Sequence, residues 1–188
     1  MKNQPTQALQ KSLSRVFPDN RVQLLAEILF LMVSGIIGIV LHAKLKVPMH
    51  LPGKQGLLFM FIIIGMSQLS RFRFSTLLAT SGSAILLLTG FGGFEDPFMP
   101  LHYLLLGLIM DLLMSSDSAK TKAPWYLGVA GGLAYAVIPF DRAIITLVTG
   151  LPFHSLMNGI VFPVFTHFLF GFFGSFLAGM AVKTLSEK

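Results

Sequence analysis

Six apolar stretches, separated by short polar connectors, make up most of this 188-residue chain and constrain its fold more than any other feature. The hydrocarbon core of a bilayer is ~30 Å thick, and a helix of roughly 20 apolar residues crosses it. Lipid offers backbone groups no hydrogen-bonding partner, so spanning stretches of this kind are helical. The sequence therefore predicts an all-α polytopic membrane protein, a six-transmembrane-helix bundle with spans near residues 22–42, 54–70, 74–91, 99–115, 125–149 and 154–182.

The composition agrees with a membrane protein and argues against a nucleic-acid partner. Only 12% of residues are charged and 54% are hydrophobic, whereas soluble domains carry about 25% charged residues. The net charge is +6, but the basic residues lie between the apolar runs and form no stripe with interleaved aromatic residues. Orientation in a bilayer explains them better. The chain has no cysteine, which excludes disulfides, thiolate metal sites and a cysteine nucleophile.

The chain divides into a polar N-terminal segment, residues 1–21, and one membrane domain, residues 22–188. Apolar residues recur at helical spacing in the first segment, which fits a short helix lying in the membrane interface. A cytoplasmic tail without fixed structure is the alternative. A cleaved signal peptide is not expected, because the next apolar run is too long and lacks a small-x-small cleavage site.

The distribution of lysine and arginine predicts the orientation. With the N-terminus inside, ten of the 14 basic residues lie on the cytoplasmic side and four lie outside, as the positive-inside rule requires. We therefore expect a cell (inner or plasma) membrane protein with cytoplasmic N- and C-termini. The inner ten are Lys2, Lys11, Arg15, Arg21, Arg71, Arg73, Lys120, Lys122, Lys183 and Lys188, and the outer four are Lys44, Lys46, Lys54 and Arg142.

The first external loop, VPMHLPGKQG (47–56), is unusual because lysines cluster in it and just before it. The positive-inside rule disfavours positive charge on this external side of the membrane. It is either a short turn that happens to be basic or a lid over an outward-facing cavity that attracts an anionic or carboxylated ligand. Two prolines would stiffen such a lid by fixing φ, and a stiff lid loses less entropy on closing. The predicted ligand contacts in this region are Met49, His50, Lys54 and Gln55.

Ionisable residues inside membrane spans are costly, so each is a site hypothesis. Asp111 lies near the middle or inner half of the fourth span. It is either a capped carboxylate near the inner end, a tie between helices or a ligand-binding acceptor. Asp141 and Arg142 are adjacent and point about 100° apart on a helix. One of them should face a cavity and the other a neighbouring helix or the headgroups, and we predict Arg142 as the ligand contact.

Polar and aromatic residues also gather at the outer ends of the fourth and sixth spans. His102 and Tyr103 open the fourth span, and His154 and Asn158 are four residues apart at the start of the sixth, on one helix face. His167 lies about 20 Å further along that helix and cannot share a compact site with His154. No metal is predicted, because these residues lack a diagnostic ligand spacing.

The chain carries no recognisable catalytic constellation. It has neither the Gly-x-Ser-Gly turn of rhomboid-type proteases nor the Glu-Glu pair of the CPBP-type membrane proteases. We therefore expect a protein that is not an enzyme and that carries no cofactor.

Three stretches carry a resemblance to a known family: KVPMHLPGKQGLLFM (46–60), STLLATSGSAILLLTGFGG (75–93) and PLHYLLLGLIMDLL (100–113). From about residue 22 onward the chain resembles the substrate-binding (S) subunits of energy-coupling-factor transporters. The resemblance implies a six-helix bundle that binds a vitamin, its precursor or a metal ion on the outer side. The first loop would be the lid, and the fourth to sixth helices would supply most contacts.

The same resemblance implies partners. A separate coupling protein and two ATPases would power transport, because this chain has no Walker motif. In the family an Ala-xxx-Ala face on the first helix commonly docks the coupling protein. Here Ser34 and Gly38 are the nearest substitute, and this departure leaves room for a subunit that acts alone. The N-terminal histidine motif of the cobalt and nickel members is absent, since the chain begins MKNQ.

Two hypotheses follow. The first is a membrane-embedded uptake subunit for a small water-soluble nutrient, a vitamin or its precursor. The second is a small assembly or scaffold protein of the membrane, with packed helices and no ligand cavity. A cavity of a few hundred cubic ångströms at the outer end, lined by the predicted residues, would favour the first.

Overall fold

The computed structural model describes residues 20–45, 51–94, 96–115, 123–157 and 159–186. The predicted interfacial helix within residues 1–21 therefore lies almost wholly outside the described residues. The described part is all-helical, with no strand and with one short 3₁₀ turn, His154–Leu156. Its six helices are α1 (Asn20–Lys44), α2 (Gly56–Leu69), α3 (Ser75–Leu88), α4 (Met99–Leu113), α5 (Pro124–Thr149) and α6 (Val161–Ser186).

Three of these helices, α1, α5 and α6, are long and apolar enough to cross a membrane. The other three are apolar but contain only 14, 14 and 15 residues. At 1.5 Å per residue they reach ~21–23 Å. The sequence thus predicted the six helices and their approximate positions, and the described structure contains three of full spanning length.

The start of the last helix was predicted wrongly. Residues 154–156 form a 3₁₀ turn, Gly159 has a φ of +90°, and α6 begins only at Val161. A left-handed glycine stops a right-handed helix from running through this region. His154 therefore lies on a connector instead of on the helix face predicted for it, and Asn158 lies outside the described residues.

The helices form a closed ring in the order α1, α3, α4, α5, α6, α2 and back to α1, and α2 also packs against α3 across the interior. Consecutive helices run in opposite directions. At one end, which we term the cavity end, His42 of α1 lies beside Tyr103 of α4. At the other end, which we term the base, the Tyr126 hydroxyl donates to the Leu113 carbonyl at 2.9 Å.

Glycines bring α1 and α3 into backbone contact. A Cβ added at Gly35 would lie 1.7 Å from the Ala79 carbonyl oxygen, and one added at Gly82 would lie 2.0 Å from that of Met32. The Ser83 hydroxyl donates to the Gly35 carbonyl at 2.8 Å. Small residues therefore fix this crossing, as is typical of helices that pack in membranes.

Two buried carboxylates tie helices together at the base. Glu27 of α1 pairs with the Nε of Arg71 at 3.0 Å and accepts from the Ser70 hydroxyl at 2.7 Å. Asp111 of α4 accepts from the backbone N–H groups of Thr76 and Leu77 at 3.1 and 2.7 Å. These N–H groups open α3 and have no partner within their own helix.

This position bears on one predicted site residue. Asp111 lies nine residues beyond His102 on α4, or ~13 Å along the helix toward the base. It ties α4 to α3, which is one of the alternatives considered for it, and it lies away from the other predicted ligand contacts. Glu27, which sequence analysis did not single out, is the matching tie between α1 and the α2–α3 connector.

The predicted docking pair also faces inward. Ser34 is 3% exposed and its hydroxyl donates to the Leu31 carbonyl at 2.6 Å. A Cβ on Gly38 would lie 2.9 Å from the Phe59 ring of α2. Because both residues pack within the bundle, they do not form an outer docking surface. The outward face of α1 is instead apolar, with exposed side chains at Leu25, Leu29, Phe30, Val33 and Ile37.

Candidate ligand-binding cavity

Several cavities lie among the described residues at the cavity end, and two of them form the candidate site. One, of about 170 Å³, lies between α1, α4, α5, α6 and the residues that precede α2; we term it the inner cavity. The other, of about 530 Å³, lies between the α3–α4 and α5–α6 connectors; we term it the vestibule. Met99, Arg142 and Ser155 line both cavities, so the two meet at these residues.

Residues 51–55 cover the inner cavity. Gly53 has a φ of +74°, and a Cβ built on it would lie 2.7 Å from Nδ1 of His167. A Cβ on Gly56 would lie 2.1 Å from the Tyr135 ring. The two glycines therefore let the backbone of this loop lie directly on the two rings. The described part of the first loop therefore lines the inner cavity.

Aromatic side chains and histidines form the wall beneath this loop. The Tyr135 and His167 rings stack, with centroids 5.0 Å apart and planes at 29°. Nδ1 of His167 lies 2.7 Å from the Pro163 carbonyl, which only accepts, so Nδ1 carries the hydrogen. On the α1–α4 side, the Tyr103 hydroxyl lies 3.0 Å from Nδ1 of His42.

Arg142 lies where the inner cavity meets the vestibule. Its Nε and Nη2 donate to one oxygen of Asp96 at 2.9 and 2.8 Å. Its Nη1 lies 3.4 Å from the Ser155 hydroxyl, which is long for a hydrogen bond. The guanidinium also lies 5.6 Å above the centre of the Phe153 ring. One edge of Arg142 is thus fully engaged by Asp96, while the Nη1 edge is only weakly engaged by Ser155.

His102 is completely buried and bridges two carboxylates. Its Nδ1 lies 2.5 Å from Asp141 and its Nε2 lies 3.0 Å from Asp96. Carboxylate oxygens accept, so N–H donors on both ring nitrogens match this arrangement best. We term Asp96, His102, Asp141 and Arg142 the charge network. Within it Asp141 faces α4 and Arg142 faces the cavities, which is the division predicted for this adjacent pair.

Asp96 ties the α3–α4 connector to this network. Burial alone would raise the pKa of Asp96, but the hydrogen bond and charge of His102, the charge of Arg142 and the Phe98 N–H together lower it below its usual 3.8. The Phe98 N–H donates to the second carboxylate oxygen at 2.9 Å. The connector is therefore held against α4 and α5 by an ionised Asp96.

We expect this tie to weaken only in acid. A carboxyl group whose folded-state pKa is lowered adds stability that is present above its unfolded pKa of about 3.9 and is lost as the pH falls through the folded value. Asp96→Asn should therefore lower the unfolding temperature of the detergent-solubilised protein at pH 7, and its gap to wild type should shrink below about pH 4. A gap that stays constant or widens between pH 5 and pH 3 would contradict this assignment.

The structure brings some predicted site residues together and not others. His102 was predicted to contact a ligand, but both of its ring nitrogens are bonded within the charge network. Of the predicted residues, the inner cavity is lined by Lys54, Gln55, Tyr103 and Arg142, and the vestibule is lined by Arg142 and His154. Neither cavity is lined by His102 or Asp111. The described residues do not include Met49, His50 or Asn158.

Sequence reasoning missed several residues that line the inner cavity. His167 was set aside because the last helix was expected to begin at 154. With α6 beginning at Val161, His167 lies only ~9 Å from the start of the helix and reaches the cavity end. Gly159 was the available sequence signal for a later start of α6, because glycine readily adopts the left-handed conformation that interrupts a helix. Other lining residues that were missed include His42, Tyr135 and Ser155.

Comparisons of the chain with protein-family models, with curated proteins and with solved structures find no match. Among the described residues, no group of three or more histidine, aspartate or glutamate side chains is arranged to hold a metal ion.

Proposed function

We propose that the protein is a six-transmembrane-helix substrate-binding subunit that takes up a small water-soluble nutrient, a vitamin or its precursor, through the cavity end. One observation carries this proposal. Polar side chains from separate segments of the chain, including Lys54, Tyr103, Arg142 and His167, converge on one cavity. Burying polar groups is costly, and packed helices alone would not need them around a void. A concave site with a few convergent polar groups is the usual form of a small-molecule site.

The proposed membrane placement follows from the two ends of the bundle. The base carries Arg71 and Arg73 in the α2–α3 connector, and positive charge favours the cytoplasmic side. The cavity end then faces outward, with both termini inside. The three short helices, α2, α3 and α4, would span the membrane where the bilayer is locally thinner, or with their connectors lying in the membrane–water interface.

The arrangement of the cavities gives a route for the ligand. Leu151, Pro152 and His154 of the vestibule are exposed. A solute would enter there, pass Arg142 and reach the inner cavity beneath residues 51–55. Consistent with the resemblance to energy-coupling-factor subunits, a separate coupling protein and ATPases would then drive its release to the cytoplasm. Since Ser34 and Gly38 are buried, any coupling protein would have to bind another surface.

Ligand-induced stabilisation of the purified protein tests this proposal. A ligand at 100 times its Kd stabilises the folded state by about 2.7 kcal/mol, so one member of a panel of water-soluble vitamins and precursors should raise the unfolding temperature by several degrees. Tyr103→Phe should reduce that increase, because it removes a hydroxyl that lines the inner cavity. Tyr126→Phe, which removes a hydroxyl at the base, is the matched control and should leave the increase unchanged.

Two results would contradict the proposal. One is a panel in which no compound stabilises the wild-type protein. The other is a stabilising compound whose effect survives Tyr103→Phe and is lost in Tyr126→Phe. Either result would favour the alternative, a membrane scaffold that binds no ligand in this cavity.

A further inference from the structure

We propose that the inner cavity binds a small monoanion built on a single flat, aromatic ring. This inference rests on the proposed function and names the substrate class for the same site. It follows from the size of the cavity, the side chains of its walls and the sign of its charges.

The size of the inner cavity limits the ligand. Its volume is about 170 Å³. An apolar protein cavity of ~150 Å³ holds one benzene molecule, as an engineered cavity in another protein shows. The inner cavity therefore has room for one six-membered ring with a small substituent, and fused ring systems would be too large for it. A larger substituent would extend toward the vestibule, past Arg142.

The walls favour a flat ring over a branched or saturated one. The Tyr135–His167 stack lines one side, and Tyr103 and His42 line another. Tyr103 is itself held by Phe59, with ring centroids 4.7 Å apart. Aromatic rings attract one another in stacked and edge-to-face arrangements that a saturated ring does not reproduce. The ligand that matches these walls presents aromatic faces and edges.

The charges favour an anion. Arg142 and Lys54 line the inner cavity, and no carboxylate does so among the described residues. The Asp96 carboxylate binds Nε and Nη2 of Arg142, on the vestibule side. The Nη1 edge faces the Ser155 hydroxyl, whose 3.4 Å distance leaves Nη1 able to donate to a better acceptor.

These features place the anionic group of the ligand. A carboxylate at the junction would accept from Nη1 of Arg142, and the Ser155 hydroxyl can rotate to donate a second hydrogen bond. Charge-assisted bonds of this kind are about twice as strong as neutral ones. An aromatic cage of rings can hold a cation, but among the described residues no carboxylate lines the inner cavity to pair with it.

Four probes separate these properties: benzoate, benzamide, benzylamine and cyclohexanecarboxylate. Benzoate, benzamide and benzylamine share the benzene ring and differ in charge. Benzoate and cyclohexanecarboxylate share the charge and differ in the ring. Binding to the purified full chain in detergent would be measured by titration calorimetry. Benzoate should bind at least about tenfold more tightly than each of the others, which corresponds to ~1.4 kcal/mol.

Two variants test whether the preference for benzoate depends on Arg142 and Ser155. Arg142→Gln should weaken benzoate binding by about tenfold or more while leaving that of benzamide within about twofold. Since Arg142→Gln also removes a partner of Asp96, Ser155→Ala offers a second variant that leaves the charge network intact, and it should weaken benzoate by a smaller factor. Arg73→Gln, which removes a cation at the base, is the matched control.

The outcomes distinguish this inference from the proposed function. If benzamide, benzylamine or cyclohexanecarboxylate binds as tightly as benzoate, the substrate class is wrong while the cavity remains a binding site. If a vitamin stabilises the protein in a Tyr103-dependent way but no benzoate binding is detected, the class is again wrong and the function stands. If neither the probes nor the vitamin panel bind, both are overturned.

Discussion

Replacing His102 by leucine should destabilise the protein by about 3–5 kcal/mol. The substitution removes a group that bonds to Asp141 and one of the partners of Asp96, and the Asp141 side chain is only 12% exposed. Removing one partner of a buried ion pair leaves an uncompensated charge in a medium that solvates it poorly. The unfolding temperature in detergent should fall by on the order of 10 °C.

A double variant distinguishes charge from packing. Leucine is close in size to histidine, so His102→Leu leaves little void, and most of its cost should be electrostatic. Adding Asp141→Asn to it should recover part of the lost stability, because the uncompensated carboxylate is then neutral. A single variant near wild type, or a double variant no more stable than the single, would contradict the role assigned to the charge network.

Gly35→Ala should be the most damaging of the conservative substitutions, because its new Cβ would lie 1.7 Å from a backbone oxygen of α3. Backbone cannot rotate away as a side chain can, so α1 and α3 would have to separate. Overpacking of this kind costs about 1–3 kcal/mol and sometimes more. The expected result is a lower unfolding temperature together with a lower yield of monodisperse protein.

Gly65→Ala is the matched control for this substitution. Gly65 also lies within a helix, but an added Cβ there would meet only the Ala178 side chain, at 3.9 Å. Alanine is the better helix former by ~0.8–1.0 kcal/mol, so this variant should be as stable as wild type or more so. Equal effects of the two substitutions would show that the α1–α3 crossing is not fixed as described.

The six helices could be predicted from the sequence because hydropathy and length report on burial along the chain. The start of α6 could not, because residues 151–157 are nearly as apolar as the helix that follows them. Hydropathy does not distinguish a connector that packs over a cavity from the first turns of a span. The backbone conformation of Gly159 made that difference, and with it the position of His167.

The individual site residues were predictable by type and depth, but their partners were not. His102, Arg142 and Tyr103 were identified as polar groups at the outer end of apolar spans. Which of them faces a cavity depends on the order of the helices around the ring, and in this chain the order is not the order in sequence. Asp96 and Asp141 meet at His102 because Asp96 directly precedes α4 and because α5 packs beside α4.

The same limit applies to the packing partners of other residues. A small-xxx-small pair on a helix, such as Ser34 and Gly38, indicates close packing, but it does not say whether the neighbour belongs to the same chain. An aspartate within an apolar span, such as Asp111, indicates a costly group with a partner. The partner here is the start of α3.

The proposed function requires that the polar side chains at the cavity end surround a water-filled cavity that opens to the outside. The chain has no cysteine, so single cysteines can be introduced and labelled with a membrane-impermeant maleimide. Ser155→Cys, at the junction of the two cavities, should react in intact cells, whereas Arg73→Cys, at the base, should react only after permeabilisation. A Ser155→Cys variant that stays unreactive in intact cells, or the reverse pattern for the two positions, would contradict the claim.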